Sequence, residues 1–269
     1  MTETKAKPKM RPALRYHGGK WMLAPWIIEH LPEHRIYVEP YGGGASVLLR
    51  KPRSYAEIYN EMDGEIVNVF RMMRDKGGTL QRDLKKTPFA RDEFMQAYEE
   101  VVPGTYADDD IERARRTIIK SFMGFGSDAI ANKSGFRANS HRSGTTPAHD
   151  WANYADRADQ LIERMRGVVI ENRDAKYVIA QHDREDTLFY VDPPYVHSTR
   201  QASKRYRHEM TDEEHRELAR ILHSVKGKVV LSGYPSPLYD ELYGAWKRVE
   251  RRALADGARE RIEVLWIKP

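Results

Sequence analysis

The sequence predicts an α/β domain interrupted by a mainly helical insertion, and three observations predict it. Short β-forming runs (Ile36 to Pro40, Tyr55 to Tyr59, Val168 to Glu171, Thr187 to Val191, Lys228 to Tyr234) alternate with helix-like stretches, the pattern of strands joined by crossover helices. Between Asp75 and about Arg166 the strand signals vanish, and charged helical patterns take over after Lys76-Gly77-Gly78. The chain closes on two β runs around Asp256-Gly257, Arg248 to Arg252 and Arg261 to Ile267, which read as an antiparallel hairpin at the sheet edge. The expected segments are 1–75 and 167–269 for the sheet domain and 76–166 for the insertion.

Composition narrows the function classes. The 269 residues are 40% hydrophobic and 32% charged, enough for one large globular domain. No apolar run reaches the roughly 18 residues of a membrane span. Met1 to Met10 is polar and lysine-rich, so a cytoplasmic location is the expectation. With no cysteine, disulfides, zinc–thiolate sites and a thiol nucleophile are excluded. His208-Glu209 precedes His215 at the wrong offset for a zincin, and no metal site is expected. A net charge of +5 and a pI near 9.2 mildly favour a polyanionic partner.

In chain order, Tyr16-His17-Gly18-Gly19-Lys20 comes first, ahead of a helix-like stretch from Trp21 to Leu31. Its glycines allow a close backbone approach, and Lys20 is available to an anion. Glu39-Pro40-Tyr41-Gly42-Gly43-Gly44 then follows the first strand and precedes a short helix. The spacing matches neither a dinucleotide fingerprint nor a P-loop. An acid before the glycines repels phosphate, so the pocket suits a cationic, hydroxyl-bearing ligand. Asp63 lies about 20 residues further on, the spacing of an acid that binds ribose hydroxyls. The alternative is that it only N-caps the helix from Gly64 to Arg74, and the glycine loop upstream favours ribose binding. Asn172-Arg173-Asp174 sits at another strand end, where open α/β sheets bind ligands.

Met123 to Trp151 is a long Gly/Ser-rich segment that interleaves Phe125 and Phe136 with Lys133, Arg137 and Arg142, side chains suited to phosphate and base edges. Trp151 to Arg166 reads as helical. The run Thr187 to Val191 stops at Asp192-Pro193-Pro194-Tyr195, where two prolines remove backbone donors and fix the exit from the sheet. Behind it Arg200, Lys204, Arg205 and Arg207 form the strongest local positive cluster in the chain. Thr211-x-x-Glu214 is a capping box.

Taken in order, Tyr16-His17-Gly18-Gly19-Lys20, Val38 to Gly44, Asn60-Glu61-Met62-Asp63, Asp192-Pro193-Pro194-Tyr195 and Ser232-Gly233-Tyr234 with Leu238-Tyr239 resemble the D12 class. These are the S-adenosylmethionine-dependent DNA adenine-N6 methyltransferases, the Dam-like family of bacteria and their phages. The resemblance implies a doubly wound, Rossmann-like methyltransferase sheet with a terminal antiparallel hairpin, the insertion being the target-recognition domain. It implies that Glu39, Pro40, Gly42, Gly43 and Gly44 hold the methionine part of S-adenosylmethionine, with Tyr16 and Lys20 closing over it. Asp63 would take the ribose and Asp174 the cofactor's adenine amino group. Asp192 and the Pro193 carbonyl would accept from the target N6 amino group, with Pro194 shaping the turn and Asp192 also facing the cofactor. Tyr195 would stack on a base flipped from double-stranded DNA. Phe122 to Arg142 holds the place of the family's recognition hairpin with a different sequence, so no target site is carried over. The rival readings are an RNA or cytosine-N4 methyltransferase on the same sheet, a DNA-binding relative without catalysis, and a nicotinamide oxidoreductase.

Overall fold

The computed structural model describes residues 10–139, 144–196, 210–255 and 259–269. Its framework is a seven-stranded sheet formed by β1 (Ile36–Glu39), β2 (Ala56–Asn60), β3 (Val168–Glu171), β4 (Thr187–Val191), β5 (Lys228–Gly233), β6 (Lys247–Ala255) and β7 (Arg259–Ile267). The order is β3-β2-β1-β4-β5-β7-β6. The first five strands run parallel, while β7 pairs antiparallel with both β5 and β6. The expected doubly wound sheet and its closing hairpin are therefore present.

Alternation along each strand sorts side chains onto two faces. Tyr37, Tyr59, Leu188, Tyr190, Val230 and Leu265 enter one buried cluster. Their neighbours Val38, Ile58, Phe189, Val191, Leu231 and Val264 enter another. With both faces covered, the inner strands read as continuous apolar runs, and all of β4 is buried.

The first face carries α1 (Ala24–Glu29), α2 (Ser46–Arg50), α3 (Gly64–Lys86), α4 (Arg91–Gln96), α5 (Asp110–Met123), α6 (Pro147–Asp156) and α7 (Ala158–Met165). The second carries α8 (Ala175–His182), α9 (Asp212–Ser224) and α10 (Pro237–Tyr243). The helices expected inside the insertion share the first cluster: Leu80, Phe94, Ile118 and Trp151 belong to the same core as Tyr37 and Tyr59.

One expected break stands and two expected boundaries move. The break read at Lys76-Gly77-Gly78 is a kink: Lys76 leaves helical geometry (φ −131°, ψ 25°), and two helical stretches meet there within α3. A Cβ on Gly77 would lie 2.7 Å from Ile162, so this glycine also lets α3 approach α7 closely. The stretch from Trp151 to Arg166 is two helices, parted at Arg157 (φ −109°, ψ 8°), and the first begins earlier, at Pro147 behind a Thr146 cap. The first helix is confined to Ala24–Glu29. The capping box stands as read: the Thr211 hydroxyl accepts from the Glu214 amide, and the Glu214 carboxylate accepts from the Thr211 amide.

One buried ionic group ties these layers together. Glu57 of β2 accepts from Arg164 of α7 at 2.6 and 2.9 Å and from Lys51 at 2.8 Å. Glu57 and Arg164 are 4% and 7% exposed.

Candidate active site

β1 and β4 are neighbours although their connections leave toward opposite edges of the sheet. A crevice opens at the carboxyl ends of strands at such a switch point. Here it is a cavity of about 470 Å³, lined by Tyr16, Glu39, Pro40, the three glycines, Asp63, Asp174, Asp192, Pro193 and Pro194 among others. The fold thus assembles residues that are far apart in the chain. Among the described residues the lining holds seven carboxylates (Glu39, Glu61, Asp63, Asp174, Asp192, Glu214, Glu217) against two lysines, Lys20 and Lys176.

Each side of the cavity has a local cause. Glycines are required at its floor because aromatic rings press on the backbone. A Cβ on Gly42 would meet the Tyr59 ring at 2.2 Å, and one on Gly43 would meet Tyr16 at 2.9 Å. Gly43 also takes φ +48°, a conformation that L side chains resist. The Tyr59 hydroxyl donates to the Gly43 carbonyl at 2.7 Å, and the Gly43 amide donates to Glu61 at 2.9 Å. Tyr59 and Glu61 are thus supports that reading the glycines alone does not reveal.

Glu39 is 1% exposed. Its Oε1 accepts from the Tyr37 hydroxyl and from the Leu48 amide, both at 2.7 Å. Burial pushes its carboxyl up to about 7; those two bonds and Lys51 pull it down, and Asp192 adds to the rise. Asp63 satisfies one of its alternatives directly, since its Oδ1 caps α3 through the Glu65 amide at 3.0 Å, and it lines the cavity as well. Asp174 likewise caps α8 through the Lys176 amide at 2.7 Å while lining the cavity.

Asp192 leaves the end of β4 with both oxygens engaged. Ser232 of β5 donates to Oδ1 at 2.8 Å, and the Lys20 ammonium lies 2.9 Å from Oδ2. Lys20 is 6% exposed and also donates to the Gly18 carbonyl at 2.9 Å. Tyr195 is not part of the cavity lining. It is 7% exposed, with Lys20 4.7 Å from its ring centroid, Tyr234 edge-on at 4.6 Å and its hydroxyl donating to Glu263 at 2.5 Å. In the sequence Ser232 stands out only as part of a motif, and the one trace of Glu263 is an acid inside an apolar β run.

A family model for the D12 class of N6 adenine-specific DNA methyltransferases matches residues 16–255. The chain belongs to this family. It is 26% identical over 256 residues to the type II methyltransferase M1.LlaDCHI of Lactococcus lactis subsp. cremoris, covering 89% of this chain and 86% of that protein. It is 23% identical over 192 residues to a DNA adenine methylase of Vibrio cholerae serotype O1, covering 70% of this chain and 66% of that one. This D12 methyltransferase therefore modifies adenine N6 in DNA, which sets aside the RNA, cytosine-N4 and nicotinamide readings. Among the described residues no helix is long and apolar enough to cross a membrane, and no cluster of three acidic, histidine or cysteine side chains could hold a metal.

The residues expected to touch DNA are only partly brought to a free surface. Lys133 is exposed. Arg137 is 9% exposed and lies 3.6 Å from Asp150, while its amide donates to the Met123 carbonyl at 2.7 Å. With Phe125 and Gly135 bonded at 2.8 Å and a Gly124–Phe136 bridge, this closes the neck of the segment from Gly124 to Arg137. Phe125 beyond it is 70% exposed. Arg142, Arg200, Lys204, Arg205 and Arg207 lie outside the described residues. The hairpin supplies basic groups that charge counting along the sequence passes over. Gly233, the last residue of β5, pairs with Val264, so β7 from Arg259 to Glu263 projects past the carboxyl edge of the parallel strands. Arg251, Arg252 and Arg261 lie on this projection.

Proposed function

We propose that the switch-point cavity binds S-adenosylmethionine and that Asp192-Pro193-Pro194 presents it to a flipped adenine. The carrying observation is the cavity wall of seven carboxylates closed at one end by that tripeptide. Such a wall opposes a pyrophosphate and suits a sulfonium, an ammonium and ribose hydroxyls. A volume of about 470 Å³ suits a ligand of that size. Glu39 and the glycine floor, covered by Tyr16 and Lys20, hold the amino-acid end. Asp63 takes the ribose, and Asp174 takes the cofactor's adenine amino group.

When bound, the cofactor supplies an electrophilic methyl carbon on positively charged sulfur. The chain's residues deal with the nucleophile. An adenine amino group is weak because its lone pair is delocalised into the ring. Asp192 and the Pro193 carbonyl accept from the two N6 hydrogens, drawing the amino group toward a tetrahedral shape and freeing the lone pair. An ionised carboxylate offers about four lone-pair sites, so the bonds from Ser232 and Lys20 leave room for the substrate. Those bonds fix the carboxylate before substrate arrives, which favours positioning and electrostatic support over reorganisation. Tyr195 offers its ring to the base. Lys133 and the arginines of the projecting hairpin neutralise phosphates on either side.

Labelled-methyl transfer to unmethylated genomic DNA, followed by sequencing of modified adenines, tests this reading. Asp192→Ala should abolish transfer while S-adenosylmethionine still binds in calorimetry. Transfer near the wild-type rate would remove Asp192 from the chemistry.

A further inference from the structure

Lys20, Asp192, Tyr195 and Glu263 come from three separate parts of the fold and meet behind the cavity. Glu263 is the hub. It is 3% exposed, it accepts from the Tyr195 hydroxyl at 2.5 Å, and the Lys20 ammonium lies 3.9 Å from the same oxygen. Lys20 in turn reaches Asp192 at 2.9 Å. The antiparallel β7 makes this possible, because its register with β5 sets Val264 beside Gly233 and so leaves Glu263 at the catalytic edge. A buried carboxylate is costly and is retained only where it is paired and hydrogen-bonded. Nothing in the packing of β7 requires one there, since its neighbours Val264, Leu265 and Trp266 are apolar.

We propose that Glu263 is a positioning residue for methyl transfer: it fixes the Tyr195 ring through the phenol and the Asp192 carboxylate through Lys20. This rests on the roles given above to Asp192 and Tyr195. The two groups that contact the target base are thereby set by one carboxylate on the reversed strand. The ring is held on three sides, by Lys20, Tyr234 and Glu263, so its plane is settled before a base arrives.

Ionisation bears on the same cluster. Burial, with Asp192 adding to it, raises the Glu263 carboxyl to about 7, while Lys20 and the Tyr195 hydroxyl pull it down. Other groups facing it are the phenols of Tyr190 and Tyr234, both raised chiefly by burial, and Arg251, its exposed cross-strand partner. Charged Glu263 grips both Lys20 and the phenol more firmly, so turnover should rise as pH passes through about 7.

The test compares wild type, Tyr195→Phe, Glu263→Gln, Glu263→Ala and the double variant Tyr195→Phe/Glu263→Gln in single-turnover methyl transfer. Melting curves identify any variant that does not fold; Tyr195→Phe and Glu263→Gln conserve shape and keep the proposal falsifiable should Glu263→Ala unfold. Expected are falls in rate of about tenfold for Tyr195→Phe and Glu263→Gln, the scale of one charge-assisted hydrogen bond. Tyr195→Phe should leave S-adenosylmethionine affinity unchanged, and Glu263→Gln, which acts through Lys20, should lower the rate by more than the affinity. The double variant should be little worse than either single one, because the two residues act through one shared hydrogen bond, and Glu263→Gln should lose part of the pH limb near 7. Wild-type rates, additive losses, an unaltered pH limb, or faster turnover from releasing the ring would each overturn the proposal. Asp192→Ala, run alongside, separates the two levels. If it retains transfer, the reading of the site itself fails and takes this inference with it. If it loses transfer while Glu263→Gln does not, only the positioning role of Glu263 falls.

Discussion

Replacing Glu39 by glutamine keeps an acceptor for Tyr37 and Leu48 but removes a charge whose ionisation burial has already made difficult. With its carboxyl at about 7, Glu39 is largely protonated at pH 6 and half ionised at pH 7. A sulfonium or ammonium in the cavity favours the ionised form. If the bound cation returns the carboxyl to an ordinary value near 4.5, linkage tightens S-adenosylmethionine binding roughly fivefold between pH 6 and pH 7. The same arithmetic releases about three-quarters of a proton on binding at pH 6.5. Titration calorimetry in two buffers of different ionisation enthalpy reads that proton directly. The window stays below the range near 7.7–8.0 where an α-amino group itself titrates. Glu39→Gln should bind more weakly at pH 7, with a flatter pH dependence and little proton release. An unaltered proton count in the variant would refute the assignment of Glu39 to the cationic end of the ligand. Stability carries the opposite sign. A carboxyl raised in the folded state makes the protein less stable as pH climbs from about 4.5 to about 7, by up to about 3 kcal/mol. Glu39→Gln should therefore lose part of that slope in melting experiments.

Other substitutions probe the frame and the DNA surface. Arg164→Met leaves the buried Glu57 with Lys51 and the Ser54 amide and should destabilise by about 3–5 kcal/mol, read as a lowered denaturant midpoint. Gly77→Ala forces a methyl toward Ile162, 2.7 Å from the added Cβ position, and should cost about 1–3 kcal/mol; a neutral melting temperature would show that α3 and α7 can part freely. Arg137→Ala should lower thermal stability, because Asp150 then loses a buried guanidinium beside it. Arg251→Ala with Arg252→Ala should instead lower the slope of log affinity against log salt by about one for each phosphate no longer neutralised, and an unchanged slope would take the hairpin out of the DNA interface.

The strands and the places where they end are legible in the residues themselves. Those signals are local: Asp192-Pro193-Pro194 must leave the sheet, and Glu39 must stand before its glycines, whatever else the chain does. The closing hairpin and the capping box are legible for the same reason. Packing settles a different matter, namely which side chains stand behind each of those residues. Gly77 reads as a helix break, and Lys76 beside it is non-helical; that the same glycine also makes room for α7 is invisible in the sequence, because a close approach between helices leaves no mark on periodicity. Arg137 looks like a phosphate ligand until Asp150 is seen beside it. Glu263 lies 68 residues from Tyr195 along the chain, and only the reversal of β7 against β5 brings it there. Residue type and spacing express what a segment does by itself, whereas a carboxylate that meets Tyr195 and Lys20 from another strand depends on register, which packing of the whole sheet determines.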